Sequence, residues 1–71
     1  MLHNRKISIG SIWKDIKLQK VYAIISWEHS LGLPSDSLLE LEDTLNNSIS
    51  VLKSQLLNSK HEGNFRYQRL D

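Results

Sequence analysis

Six aliphatic residues, Leu38, Leu41, Leu45, Ile49, Leu52 and Leu56, follow one another at steps of three or four through the stretch LPSDSLLELEDTLNNSISVLKSQL. Wound as a helix at about 100° per residue, they fall within a stripe about 80° wide, the mark of an amphipathic helix with one buried face. Leu39, Val51 and Leu57 lie off the stripe, and the rest of the surface is polar. Pro34 suits a first turn, and Ser37 followed by Glu40 has capping-box spacing. Asp36, Glu40, Glu42 and Asp43 come early while Lys53, Lys60 and His61 come late, an order that complements the helix dipole. Gly63 is a natural stop. The spacing therefore predicts a helix over about residues 35–61. Its mean step is nearer 3.6 than 3.5, which favours a short bundle over a long two-stranded coiled coil.

Within one chain, the partner for that stripe is the segment SIWKDIKLQKVYAIISWEHSL. Its β-branched residues also allow a strand at Val21 to Trp27, but a helix over about residues 11–31 gathers Ile12, Trp13, Ile16, Ala23, Ile24, Trp27 and Leu31 on one side. Leu18, Val21, Tyr22 and Ile25 then project from the opposite side. The connection His29-Ser30-Leu31-Gly32-Leu33-Pro34 has the Gly and Pro that end one helix and begin another. The expected fold class is all-α, an antiparallel helical hairpin spanning residues 11–62. Residues 1–10 form an N-terminal arm and residues 63–71 a C-terminal tail. A helix apolar on two opposite faces needs a second partner, so two hairpins are expected to assemble as a dimeric four-helix bundle.

Size makes that association useful. A domain of 71 residues buries only about 60% of the surface its unfolded chain exposes, and such small domains draw support from disulfides, a metal or another chain. The sequence has no cysteine, which removes disulfides and fits a reducing compartment. His3, His29 and His61 are far apart, without the spacing of helical metal ligands, and no cofactor is expected. The most apolar run, Val21 to Trp27, is far shorter than the roughly 20 residues that span a bilayer. MLHNRKISIG lacks the apolar core of a signal peptide, so a cytoplasmic protein is expected.

No reaction is written in the chain. Asp36-Ser37-Leu38 resembles the attachment site of acyl carrier proteins, which implies a serine carrying phosphopantetheine, but the resemblance covers three residues. SLGLPSDSLLELE resembles the turn of a helix-turn-helix unit. There, Asp36, Glu40, Glu42 and Asp43 would be driven against phosphates. With three glycines, no phosphate loop and no Ser, His and Asp set on a recognisable scaffold, an enzyme is not expected.

The expected function is a small protein-binding regulator, adaptor or docking module that buries Trp13, Leu18, Val21, Tyr22, Ile25 and Trp27 against itself as a homodimer or against another protein. Trp and Tyr are enriched among interface anchors. The alternative is a small nucleic-acid-binding regulator. In an antiparallel hairpin, Arg5, Lys6, Lys14, Lys60, Arg66 and Arg69 would collect at one basic end and meet phosphate there. The net charge of +1 gives that alternative little long-range attraction.

Overall fold

The computed structural model describes residues 5–29 and 36–71, and these form an antiparallel β-sheet protein with one short helix. In chain order the elements are β1 (Ile12–Asp15), β2 (Lys20–His29), β3 (Ser37–Asp43), β4 (Ser48–Leu52), α1 (Lys53–Asn58), β5 (Lys60–His61), β6 (Asn64–Phe65) and β7 (Tyr67–Arg69). Five strands make one sheet in the order β4-β3-β2-β1-β7, and β5 and β6 make a separate hairpin. The first four strands thus meander, and the last returns to the far side of β1.

The turns explain the meander. Asp15 Oδ1 accepts the backbone N–H groups of Lys17 (2.9 Å) and Leu18 (3.2 Å), folding the chain from β1 into β2. Asp43 does the same between β3 and β4, where its Oδ1 accepts Leu45 N–H (2.9 Å) and Asn47 N–H (3.0 Å). Asn46 closes that three-residue loop at a φ of 64°, a left-handed conformation that Asn tolerates better than most residues. In the β5–β6 hairpin, Glu62 and Gly63 both have positive φ, 51° and 84°, as a two-residue primed turn requires.

Side chains of alternate residues go to opposite faces of a strand. Along β1, Trp13 and Asp15 are buried while Ile12 and Lys14 are only half-buried. Along β3, Ser37, Leu39 and Leu41 are buried. Register carries this face across the sheet, since Trp13 pairs with Tyr22, Ile24 with Leu41 and Leu39 with Val51. The core consists of Ile7, Trp13, Tyr22, Ile24, Leu39, Leu41, Leu56 and Tyr67, with Trp27, Val51 and Leu57 packed against it. Each large side chain fully buried in this way contributes about 1.5–3 kcal/mol. Ile7 comes from the N-terminal segment and Leu56 from α1, which packs on β3 and β4. The opposite face of the sheet is not covered by these elements.

The expected all-α hairpin and its four-helix bundle are therefore incorrect. Within the segments 11–31 and 35–61 the described residues form β1 to β5 and the turns between them, apart from the six residues of α1. Two features imitate helical spacing. A bulge in β2 between Ile24 and Ser26 inserts Ile25, so the core residues Ile24 and Trp27 stand three apart instead of two. In the leucine stripe, the members belong to different strands and faces: Leu41 and Leu56 are core, whereas Leu38 and Ile49 are exposed and Leu45, in the turn, is 77% exposed. Leu39, off the stripe, is fully buried. The helix-face argument for a dimer lapses with the helix.

The ends also join the fold. Gly10 N–H donates to Ile24 O and Ile24 N–H donates to Ser11 O, so Gly10 and Ser11 extend the pairing of β1 with β2, and Ile7 before them enters the core. Residues of the expected tail form β6 and β7. The Asp36 carboxylate accepts Ser54 N–H (3.1 Å) and Ser54 Oγ–H (2.7 Å) at the start of α1. Most of the expected interhelical connection, residues 30–34, lies outside the described residues. Among the described residues, no helix is long and apolar enough to cross a membrane.

Candidate interaction surface

β4 is the outer strand of the sheet, and the turn before it fixes which of its backbone groups face outward. Asp43 N–H donates to Asn47 O (2.9 Å), which makes Asp43 and Asn47 a hydrogen-bonded pair. Such pairs alternate with non-hydrogen-bonded pairs along an antiparallel ladder. Leu41 with Ile49 and Leu39 with Val51 are then the hydrogen-bonded pairs, and the N–H and C=O groups of Ser48, Ser50 and Leu52 point away from β3. Leu52 N–H is taken by Gln55 Oε1 (3.0 Å). Ser48, Ile49 and Ser50 are all exposed. The outward groups of Ser48 and Ser50 thus form a short, accessible edge.

The side chains of this edge do not blunt it. Its sequence, SISVL, carries no charge and no proline, the features with which natural edge strands are blunted. At the other end of the sheet, β7 is three residues long and carries Arg69.

Beside the edge, the uncovered face is acidic. Ser48 lies opposite Glu42 and Ser50 opposite Glu40, while Leu38 of β3 lies opposite Glu28 of β2. Among the described residues, no ion pair involves Glu28, Glu40 or Glu42. Ser26, Glu28, Leu38, Glu40 and Ser50 line a hollow of about 60 Å³, too small for an organic ligand, whose pockets run to several hundred Å³.

The expected protein-binding residues separate. Trp13 and Tyr22 lie in the core, and Trp13 Nε1–H donates to the buried Ser11 Oγ (2.9 Å). Trp27 is half-buried against the core, with Lys53 Nζ 5.1 Å from its ring centre. Leu18 is exposed in the first turn, Val21 is half-buried on the uncovered face, and Ile25 is exposed at the bulge.

The expected basic set is only partly brought together. Arg5 and Lys60 both lie over Phe65, 3.9 and 3.6 Å from its ring centre. Arg5 also donates to the carbonyls of Tyr67 (2.8 Å) and Leu57 (3.0 Å), and burial lowers its pKa from the ordinary arginine value. Arg66 is bound to Asp15, and Arg69 to Asp71 and Lys6 O. Lys14 lies on the opposite face of β1 from Trp13 and Asp15, across from Val21 and Gln68. Arg5, Arg66 and Arg69 thus make internal hydrogen bonds.

Sequence reasoning missed Ser48 and Ser50. The signal for them was Asp43-Thr44-Leu45-Asn46-Asn47, a turn with its Asp and Asn in the positions a three-residue hairpin loop uses. Among the described residues, no group of three His, Asp or Glu side chains is placed to hold a metal ion. No protein-family model matches the chain, and neither a curated protein nor a solved structure resembles it closely enough to count as a relative.

Proposed function

We propose that this chain is a small protein-binding module, of the regulator, adaptor or docking kind, that accepts an extended segment of another protein as a sixth strand along β4. The observation that supports it is the edge itself: an exposed, uncharged strand whose Ser48 and Ser50 backbone groups point outward at one end of the sheet. Main-chain hydrogen bonds to such an edge supply affinity, and the flanking side chains supply selectivity. The internal bonds of Arg5, Arg66 and Arg69 weigh against the nucleic-acid alternative, because a guanidinium already held by a carboxylate or by carbonyls has donors and orientation committed elsewhere and fewer left for phosphate. A cytoplasmic setting belongs to the same proposal, supported by the cysteine-free sequence.

The test is a selection of displayed random heptapeptides against the intact chain, followed by amide hydrogen exchange and a parallel measurement on Ser50→Pro. The proline removes an outward N–H while sparing the bonds to β3. Selected peptides should slow exchange at Ser48 and Ser50 and lose most of their affinity for Ser50→Pro. Peptides that bind a folded Ser50→Pro as tightly as the parent, or protect other amides only, would refute the edge reading.

A further inference from the structure

We infer that the segment accepted at β4 is one in which lysine or arginine alternates with aliphatic residues. This inference rests on the edge reading and assigns the chemistry of the partner. The three glutamates alone would make no site; the edge gives them a role.

An added strand lies about 4.8 Å beyond β4, so it stands about 9.6 Å from β3. Every second side chain of the added strand falls on the uncovered face, beside Ser48 and Ser50. Those serines are short, and immediately behind them in register stand Glu42 and Glu40. A long basic side chain can lie over a serine and bring its head group to the carboxylate behind it, keeping its apolar stem against the sheet. An acidic chain in the same place would meet like charge, and a short neutral one would leave the carboxylates unpaired. Glu40 and Glu42 stand two residues apart on one strand, the same spacing as alternate residues of the incoming segment. Two successive basic residues would therefore find two successive partners.

The other side chains of the added strand fall on the face that carries Ile49 and Val51. Ile49 is 38% exposed and Val51 half-buried at the margin of the core. Aliphatic residues there extend the core by one strand and cover Ile49. The face-by-face demand is thus basic on one side and aliphatic on the other.

A second copy of this chain fits less well. Five paired residues form a contact only about 17 Å long, a single-strand seam that brings no other surface of the two copies together. Pairing β4 with its own copy would also set two acidic faces side by side.

Three capped heptapeptide probes alternating Val with Lys, with Glu or with Ser, titrated into the intact chain and followed by amide hydrogen exchange, test the inference. The Lys probe should bind at least about tenfold more tightly than the Glu probe, protect Ser48 and Ser50, and weaken as salt rises. Glu40→Lys combined with Glu42→Lys should reverse the preference toward the Glu probe. Equal binding of all three probes, with Ser48 and Ser50 protected, would overturn the charge inference and leave the edge reading standing. Binding of the Lys probe without that protection would overturn both. A concentration-dependent dimer that protects the same amides without any probe would overturn the assignment of the occupant in favour of a second copy. If no probe binds at millimolar concentration, the inference fails, and the heptapeptide selection decides the edge reading separately.

Discussion

Arg66 grips Asp15 through two hydrogen bonds, Nε–H to Oδ1 at 3.0 Å and Nη2–H to Oδ2 at 2.8 Å, and so ties the first hairpin turn to the residue just before β7. The Asp15 carboxylate is fully buried and also holds the Lys17 and Leu18 amides. Burial pushes its pKa up, but the Arg66 bonds and the two amides outweigh burial, and the group titrates below the ordinary aspartate value. Bonding to Asp15 correspondingly raises the pKa of Arg66. The pair joins points 51 residues apart in sequence and clamps the end of β1 to the start of β7.

The two partners are not equivalent. Arg66→Met leaves a buried carboxylate without its counter-charge and should cost about 3–5 kcal/mol at neutral pH. Asp15→Asn keeps an oxygen for the two amides and leaves a guanidinium that is already 25% exposed, so its cost should be smaller. In Arg66→Met, burial is no longer opposed by the arginine, and the Asp15 pKa should rise. The deficit of that variant relative to the parent should then shrink as pH falls from 7 toward 4. Urea unfolding of both variants at several pH values checks this; a larger loss in Asp15→Asn would contradict it.

Acid should unfold the parent chain for a related reason. Asp36 is lowered first by the Ser54 hydroxyl, Asp43 first by the Asn47 amide and Asp71 first by the Arg69 side chain, and each falls below the usual carboxylate value, as Asp15 does. A carboxylate whose pKa is depressed on folding contributes stability that is fully present above its unfolded value, about 3.9, and is lost as pH falls through the lower folded value. Stability should therefore be level between pH 7 and about 5 and decline steeply below about 4. Thermal unfolding monitored by circular dichroism across that range gives the profile. Asp15→Asn should flatten it in part.

Truncating two leucines four residues apart separates strand from helix directly. Leu41→Ala removes a fully buried side chain from the centre of β3 and should cost about 2–5 kcal/mol. Leu45→Ala touches a turn residue that is 77% exposed and should change stability by less than about 0.5 kcal/mol. The helical reading places both residues on one buried stripe, so it demands similar losses. Equal destabilisation in denaturant titrations would count against the sheet.

That contrast shows where the sequence is legible and where it is not. In Ser37-Leu38-Leu39-Glu40-Leu41-Glu42-Asp43 the buried positions are 37, 39 and 41, a period of two, yet Leu38 blurs it by placing a second leucine on the open face. In β2 the bulge at Ile25 resets the alternation midway, and a single-period reading does not survive such a reset. Leu45 and Leu56 owe their helical spacing to a turn and to α1, which are structurally unrelated. The turn chemistry of Asp15, Asp43-Asn46 and Glu62-Gly63 stands in the sequence, but the helical reading absorbed it, taking Asp15 and Asp43 as helical residues and Gly63 as a helix stop. Read as hairpin signals, those three places divide the chain into strands. The candidate surface was harder to see, because an edge is defined by what fails to pair with it, and strand order is not a local property.

The orientation of the β4 backbone makes a final, sharper prediction. Because Ser50 N–H points outward, Ser50→Pro deletes no bond to β3 and should cost less than about 1 kcal/mol, the strain of fixing φ on an edge strand. Val51 N–H points inward to Leu39 within a hydrogen-bonded pair, so Val51→Pro both breaks that bond and leaves a carbonyl unmatched. Its cost should be roughly 2–3 kcal/mol beyond any lost packing, and Val51→Ala supplies the packing control. If the proline at position 50 were the more damaging of the two, the outward groups of β4 would be those of Ile49 and Val51. The register argument for Ser48 and Ser50 would then be inverted, and with it the face on which an incoming strand meets Glu40 and Glu42.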